Sequence, residues 1–387
     1  MSEKNDVEVS VVLPCLNEEE AIGICIRKAK KAFADLNING EVLVVDNGST
    51  DRSVEIAQQE GARVVSEPER GYGSAYLKGF KEAKGDILIM GDADNTYDFS
   101  QIGRFLLPIK EGYDFVLGSR FKGKIRQGAM PWANRYIGNP ILTGILRFFF
   151  KTTITDAHCG MRAFTKKAYR KMQLHSLGME FASEMVIAAL REGLKIREIP
   201  ITYNLRKGES KLIPVRDAWR HFSFMLIYSP TWLYLTPGVV LFLAGVVSMF
   251  LLLYGPFALF GREWDIHIMV VASLFSILGS QIIMLGIFAK TFGVVSGFLK
   301  EDKVLQFLWK YFKLEKGIFV GVVLFTFGFI FNVLILKEWF LRHFGTLERV
   351  REAIFGSTFI IIGIQAFFNS FFLHMLGIKI KRDSGGA

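Results

Sequence analysis

Val11-Val12-Leu13-Pro14-Cys15-Leu16-Asn17-Glu18-Glu19 is an apolar run that breaks at a proline and turns acidic within a few residues. A short apolar run bounded by turn residues reads as a buried strand whose end delivers polar side chains to a surface. The same grammar recurs downstream. Val42 to Val45 ends at Asp46, Asp86 to Met90 at Asp92 and Asp94, and Phe115 to Leu117 at Ser119 and Arg120, while Ala62 to Val65 adds a further run. With Val7 to Leu13 as the first strand and helical stretches between the runs, the first 205 residues alternate strand and helix. That alternation predicts an α/β fold with a mainly parallel sheet. In such sheets the ligand crevice lies beyond the carboxyl ends of the strands, where these polar residues fall.

The rest of the 387 residues obeys a different solvent. Hydrophobic residues make up 51% of the chain and mean hydropathy is +0.30, too apolar for an ordinary soluble globule. The excess sits after about residue 230, where many of the 36 Phe cluster. Apolar runs at 233–254, 268–289, 318–336 and 353–376 each approach the roughly 20 residues that cross a bilayer core. Four spans in an all-α transmembrane domain, 233–387, follow. Between the second and third runs lie Lys290, Lys300, Lys303, Lys310, Lys313 and Lys316, against only Arg262 between the first and second. By the positive-inside rule that loop is cytoplasmic, as are the first domain and both termini, although Lys337, Arg342, Arg349 and Arg351 then lie outside. Met1 to Glu8 is polar and no signal-like apolar region follows it, consistent with a cytoplasmic first domain.

Lys and Arg number 47 against 37 Asp and Glu, a net +10. Beside membrane spans this points to anionic lipid and phosphate-bearing substrates, with no nucleic acid partner. Cys15, Cys25 and Cys159 lack ligand spacing, which argues against a disulfide framework or structural zinc. Two segments suit the membrane interface. Pro140 to Phe150, within 140–151, is almost wholly apolar but too short to cross, and 212–232 mixes Arg216, Arg220 and His221 with aromatics. Both could also be core helices of the soluble domain.

Gly71-Tyr72-Gly73 lacks the third glycine of a dinucleotide fingerprint, since Tyr76 stands there, and no P-loop occurs. The carboxylate pair in Gly91-Asp92-Ala93-Asp94 suits a hard cation holding a diphosphate, Mg²⁺ or Mn²⁺. Alone, the pair equally suits a helix cap.

Taken in order, the Val11 to Glu19 block, Val44-Val45-Asp46-Asn47-Gly48-Ser49-Thr50-Asp51, Asp92-Ala93-Asp94 and Gly118-Ser119-Arg120 resemble glycosyltransferase family 2, with its GT-A fold. Asp156-x-x-x-Gly160-x-Arg162-Ala163-Phe164, Glu180-Phe181-x-x-Glu184, Glu198-Ile199-Pro200-Ile201 and Arg206-x-Gly208-Glu209-Ser210-Lys211-Leu212 are similar to its polyprenyl-phosphate hexose synthase branch, which includes dolichyl-phosphate mannose and glucose synthases. The resemblance spans about residues 7 to 215. It implies a GT-A domain over 1–211. Pro14, Leu16 and Glu18 would line the base and ribose pocket and Asp46 would accept from the base. Asp92 and Ala93 would touch the donor, Asp94 would ligate the metal with Asp92, and Arg206 and Lys211 would close over the diphosphate. Arg120 and Arg135 would hold the acceptor lipid phosphate or the donor diphosphate, the acceptor being the expected one, with Asp94, Arg120 and Lys211 as the catalytic set. Many members carry Asp where Asn47 stands and a polar or aromatic residue where Leu16 stands.

Several of these residues have a second reading. Asp46-Asn47-Gly48-Ser49 is also good turn chemistry, Arg162 suits a structural ion pair, and Arg135, Arg147 and Lys151 suit a snorkelling rim on lipid headgroups. Glu184 receives no catalytic role. The abundance of Arg and Lys fits a phosphate acceptor, which is already deprotonated near pH 7 and needs positioning rather than a base. The expectation is a metal-dependent hexosyltransferase moving a hexose, with inversion, from a nucleotide sugar (UDP-glucose or GDP-mannose) to a dolichyl or undecaprenyl phosphate at the cytoplasmic membrane face. Homo-oligomers are allowed by Gly321 and Gly328 in the Phe-rich third span. The alternatives are a processive polysaccharide synthase, whose Gln-x-x-Arg-Trp signature is absent, and a lipid-linked sugar transporter.

Overall fold

The computed structural model describes residues 7–208, 214–259, 261–297, 299–301, 303, 305–307, 314–346 and 348–377. They fall into two compact units, Met1–Met225 and Leu226–Ala387.

In the first unit β1 (Val9–Cys15) is buried along nearly its whole length, as a strand covered on both faces must be. It pairs in parallel with β2 (Gly40–Asp46) and β4 (Ile87–Met90), and β2 pairs in parallel with β3 (Arg63–Ser66). The sheet continues through β6 (Arg162–Thr165), antiparallel to both β4 and β5 (Phe115–Ile125), and closes with β7 (Ile196–Tyr203), parallel to β5. The order is therefore β3-β2-β1-β4-β6-β5-β7, mainly parallel with one reversed strand. Helices α1 (Ile22–Asp35), α2 (Ser53–Gln59), α3 (Tyr72–Glu82) and α4 (Ile102–Lys110) supply the crossovers. α1 buries Ile22, Cys25, Ile26, Ala29 and Phe33, a helical-period stripe laid on the sheet. Cys15, Cys25 and Cys159 are free and buried, and burial pushes their thiols up to about 11, about 12 and about 12.

The short apolar segment before Lys151 is α5 (Asn139–Phe150). Its Leu142, Thr143 and Leu146 are buried, whereas Ile141 and Phe148 are exposed beside exposed Trp132, Tyr136 and Ile137. A helix apolar on its outer as well as its inner side suits the plane of a membrane interface. Helices α6 (Lys166–Met172) and α7 (Phe181–Arg191) precede β7. The expected juxtamembrane segment, 212–232, divides otherwise. α8 (Pro214–Ile227) belongs with the first unit up to Met225, and the first membrane-length helix already begins at Thr231. The physical cause is a buried tie: His221 Nδ1 lies 2.9 Å from Ser183 Oγ on α7.

The second unit holds four helices long and apolar enough to cross a membrane, Thr231–Leu253, Ile266–Val295, Leu314–Leu341 and Val350–Leu376, overlapping all four expected spans. They contain α9 (Thr236–Leu253), α10 (Ile266–Val295), α11 (Leu314–Leu341) and α12 (Val350–Gly377). A hairpin of β8 (Phe257–Leu259) and β9 (Arg262–Trp264) joins the first two, an addition to the all-helical expectation. Helices meet along glycines: a Cβ on Gly321 would lie 2.9 Å from the Gly363 carbonyl oxygen, and one on Gly328 2.3 Å from that of Gly356. The glycines assigned to a partner copy are thus filled by α12 of the same chain, because close backbone approach is what packs helices in lipid. Polar side chains pair between helices as well, Ser273 with Thr358 at 2.6 Å and Ser280 with Gln365 at 3.2 Å.

Candidate active site

The carboxyl ends of β1, β2, β4 and β5 lie at one edge of the sheet, where Arg206 ties Glu18 after β1 to Asp94 after β4. From β1, Pro14 and Leu16 are half-buried and Glu18 is buried, its backbone N–H donating to Ser53 Oγ at 2.7 Å. From β2, Asp46 Oδ1 accepts the Ser49 backbone N–H at 3.0 Å, so the turn reading is correct for one of its oxygens, while Oδ2 makes no hydrogen bond among the described residues. Asn47 Nδ2 donates to the carbonyls of Glu67 and Glu69, and its Oδ1 accepts from Gly71 N–H, all at 2.8 Å. An aspartate could not donate to two carbonyls, so this departure from the family pattern works as a loop latch. The Gly71-Tyr72-Gly73 turn opens α3 without cradling a phosphate, because the Gly73 and Ser74 N–H groups both donate to the Leu177 carbonyl.

After β4 come Asp92, Ala93 and Asp94. Asp92 Oδ1 accepts from Tyr72 Oη at 3.0 Å and Tyr76 Oη at 3.4 Å, at the head of an aromatic stack in which Tyr76 lies 5.8 Å from Phe181 and 5.4 Å from Phe80. Burial, then the charge of Asp94, raises the Asp92 carboxyl to about 7. Ala93 is buried, its carbonyl accepting from Cys25 Sγ. Asp94 Oδ1 takes hydrogen bonds from Thr96 Oγ1 at 2.5 Å and Thr96 N–H at 2.9 Å. Arg206 bridges the two ends of the crevice, with Nη1 3.2 Å from Asp94 and Nη2 2.8 Å from Glu18. Lys211 lies outside the described residues.

Arg120 departs from expectation. Its Nε and Nη2 grip Asp156 Oδ2 and Oδ1 at 2.7 and 2.8 Å, its own backbone N–H donates to the same carboxylate at 3.0 Å, and its guanidinium stacks 5.3 Å from the Tyr203 ring. The bidentate edge expected to meet a phosphate is held by Asp156, leaving Nη1. The Asp156 carboxylate holds the Arg120 guanidinium charged despite burial. Glu198 supports the clamp from behind: Oε1 accepts the Thr155 and Asp156 N–H groups, and Oε2 lies 2.7 Å from Lys122 Nζ. Arg135 is not brought to Arg120; it is half-buried and sits 5.3 Å over the Tyr136 ring, among the exposed aromatics before α5. Arg162, fully buried, donates to the carbonyls of Cys159 and Ala157, so it fixes that turn, with no carboxylate partner among the described residues. Glu184, to which the sequence assigns no catalytic role, is buried and accepts the His175 and Ser176 N–H groups.

Sequence reasoning missed Tyr72, Tyr76, Thr96 and Tyr203, which set the environment of the charged residues. Asp156 stood in a quoted block without a role, since its pairing with a residue 36 positions earlier is a tertiary fact.

Residues 10–173 match the glycosyl transferase family 2 model and residues 287–377 match the model of that family's C-terminal transmembrane region. The low-salt glycan biosynthesis hexosyltransferase Agl6 of Haloferax volcanii is 38% identical over 95% of this chain and 89% of its own length. The dolichyl-phosphate hexose transferase of the same organism is 36% identical over 55% of this chain and 90% of its own length. The dolichol-phosphate mannosyltransferase of Pyrococcus furiosus is 31% identical over 53% of this chain and 59% of its own length. The first family model covers most of the sheet with its carboxylate pair and the second covers the later membrane-length helices, and with the 38% identity to Agl6 across 95% of its length the chain belongs to glycosyltransferase family 2.

Proposed function

We propose that the protein transfers one hexose from a nucleotide sugar to a polyprenyl phosphate at the cytoplasmic membrane face, by single displacement with inversion. The observation that carries this reading is the buried Arg120 after β5, its charge held by Asp156 and one guanidinium nitrogen left over. Two of the relatives above are named for a dolichyl or dolichol phosphate, in keeping with a phosphate acceptor.

The nucleoside would rest against Pro14, Leu16 and Glu18, with Asp46 Oδ2 accepting from the base. Arg206 would face the diphosphate. One oxygen of the lipid phosphate attacks the anomeric carbon as the bond to the diphosphate oxygen breaks, and the nucleoside diphosphate leaves with the electron pair. No proton need move, because a phosphate monoester is largely doubly ionised at neutral pH. Arg120 Nη1 would position the attacking phosphate, and Arg135, among interfacial aromatics, would meet the headgroup as it enters.

Asp92 and Asp94 suit Mg²⁺ or Mn²⁺, which bind through one or two carboxylates and substrate phosphates. The fit rests on the donor set, two carboxylates separated by one residue after β4, of which Asp94 already holds a cation, Arg206 Nη1, at 3.2 Å. When bound, the ion would offset charge on the departing diphosphate. A panel of nucleotide sugars with polyprenyl phosphate, scored for UDP or GDP release and for lipid-soluble label, tests the reading and identifies the donor. Transfer to water alone, with no labelled lipid for any donor, refutes it.

A further inference from the structure

Arg206 sits on a strap that is clipped to the metal-candidate loop. Lys207 N–H donates to the Asp94 carbonyl at 3.0 Å, Asn204 N–H to the Thr96 carbonyl at 2.9 Å, and Tyr97 bridges Tyr203 in antiparallel register. The guanidinium so delivered is divided between two buried carboxylates, Glu18 and Asp94. Among the described residues it is the cation paired to Asp94. Its Nε–H is buried and has no hydrogen-bond partner there, so the present arrangement leaves one strong donor unsatisfied.

A guanidinium and a dication on the same Asp94 oxygen repel each other and so compete for it, and a diphosphate offers Arg206 the charged acceptors that its Nε lacks. We propose that Arg206 is a resident counter-cation: it occupies Asp94 until the donor diphosphate draws it away, so that the dication is taken up together with the nucleotide sugar and not before it. This rests on the reading of Asp94 as a metal ligand. Glu18, at the nucleoside end, keeps Arg206 within reach of both positions and makes the exchange a pivot rather than a release.

The test is metal affinity, measured on the full-length protein in detergent by the free Mn²⁺ paramagnetic resonance signal. Mn²⁺ is titrated alone, with UDP and with GDP. The parent should bind Mn²⁺ weakly alone and more tightly with one nucleotide. Arg206→Met should bind Mn²⁺ alone roughly tenfold more tightly, about 1.4 kcal/mol, and should lose most of the gain from nucleotide. Arg206→Gln, which keeps a donor for Glu18 while removing the charge, should move the same way and serves if the Met variant does not fold. Adding Asp94→Asn to either should abolish the gain. Nucleotide-assisted Mn²⁺ binding in the parent with unchanged or weaker Mn²⁺ affinity in both variants overturns the counter-cation role and leaves the metal site standing. No Mn²⁺ binding in the parent with either nucleotide removes the metal reading and this proposal with it.

Discussion

Arg120 and Asp156 show how a single pair can set a site. The side chains are 8% and 0% exposed, so neither charge has much water to fall back on. Taking away one partner of a buried pair leaves the other uncompensated, at a cost of about 3–5 kcal/mol. Asp156→Asn should therefore lower the thermal midpoint sharply and reduce transfer through Arg120, read by scanning fluorimetry and by lipid-acceptor kinetics. Unchanged stability would mean that Arg120 finds another counter-charge. His158 and His221 make a second buried group, rings 4.6 Å apart and both near Ser183 Oγ. Burial is the main cause holding both below their ordinary value of 6.5, His221 at about 4; Asp217 and Glu180 oppose this at His221, and Arg162 adds to it. With folded-state values depressed, their contribution is complete above pH 6.5 and is lost as pH falls toward 4. The parent should lose more thermal stability than His221→Asn between pH 6.5 and 4.5, since the amide still bonds Ser183 but does not titrate. Equal losses would take the pair out of the pH response.

At the scale of elements, glycine seams hold the membrane helices. A Cβ on Gly363 would stand 2.4 Å from the Phe325 backbone nitrogen, so Gly363→Leu must push α11 and α12 apart, at about 1–3 kcal/mol or more. Resistance to unfolding by SDS should fall, while a leucine at exposed Ile364 should do little. What was legible in the sequence follows the same division. Strands β1, β2 and β4 were readable because continuous burial writes itself as continuous apolar sequence, and the four spans because lipid demands about 20 such residues. The boundary near α8 was not readable, since Trp219 and His221 have the composition of an interfacial helix and only the Ser183 contact assigns it. Likewise the role of Gly321 was visible as a small-residue position, but its partner at Gly363 lies 42 residues on. The ends of apolar runs placed Glu18, Asp46, Asp92 and Asp94 on one edge and the family resemblance implied their roles, whereas the pairing of Arg120 and of Arg206 depended on folding.

At the scale of the whole molecule, a glycosyltransferase family 2 domain and four membrane-length helices share one chain. The ends of the membrane helices carry their own ion pairs, Arg351 with Asp265 and Arg349 with Glu338 and Glu352. With Arg342 paired to Glu338 as well, three of the basic residues assigned to the outer face are engaged within the second unit. Cysteines placed at 262 and 305 on a cysteine-free background test that orientation: membrane-impermeant reagent should label 262 and spare 305. The reverse pattern would invert the topology. The most direct test of the central claim is transfer itself. Purified protein is incubated with labelled nucleotide sugar, Mg²⁺ and polyprenyl phosphate, and label is followed into organic solvent. The account predicts lipid-soluble monosaccharide phosphate from the parent, lowered by orders of magnitude in Asp94→Asn at equal folding. Insoluble polymer, or full lipid labelling by Asp94→Asn, would contradict it.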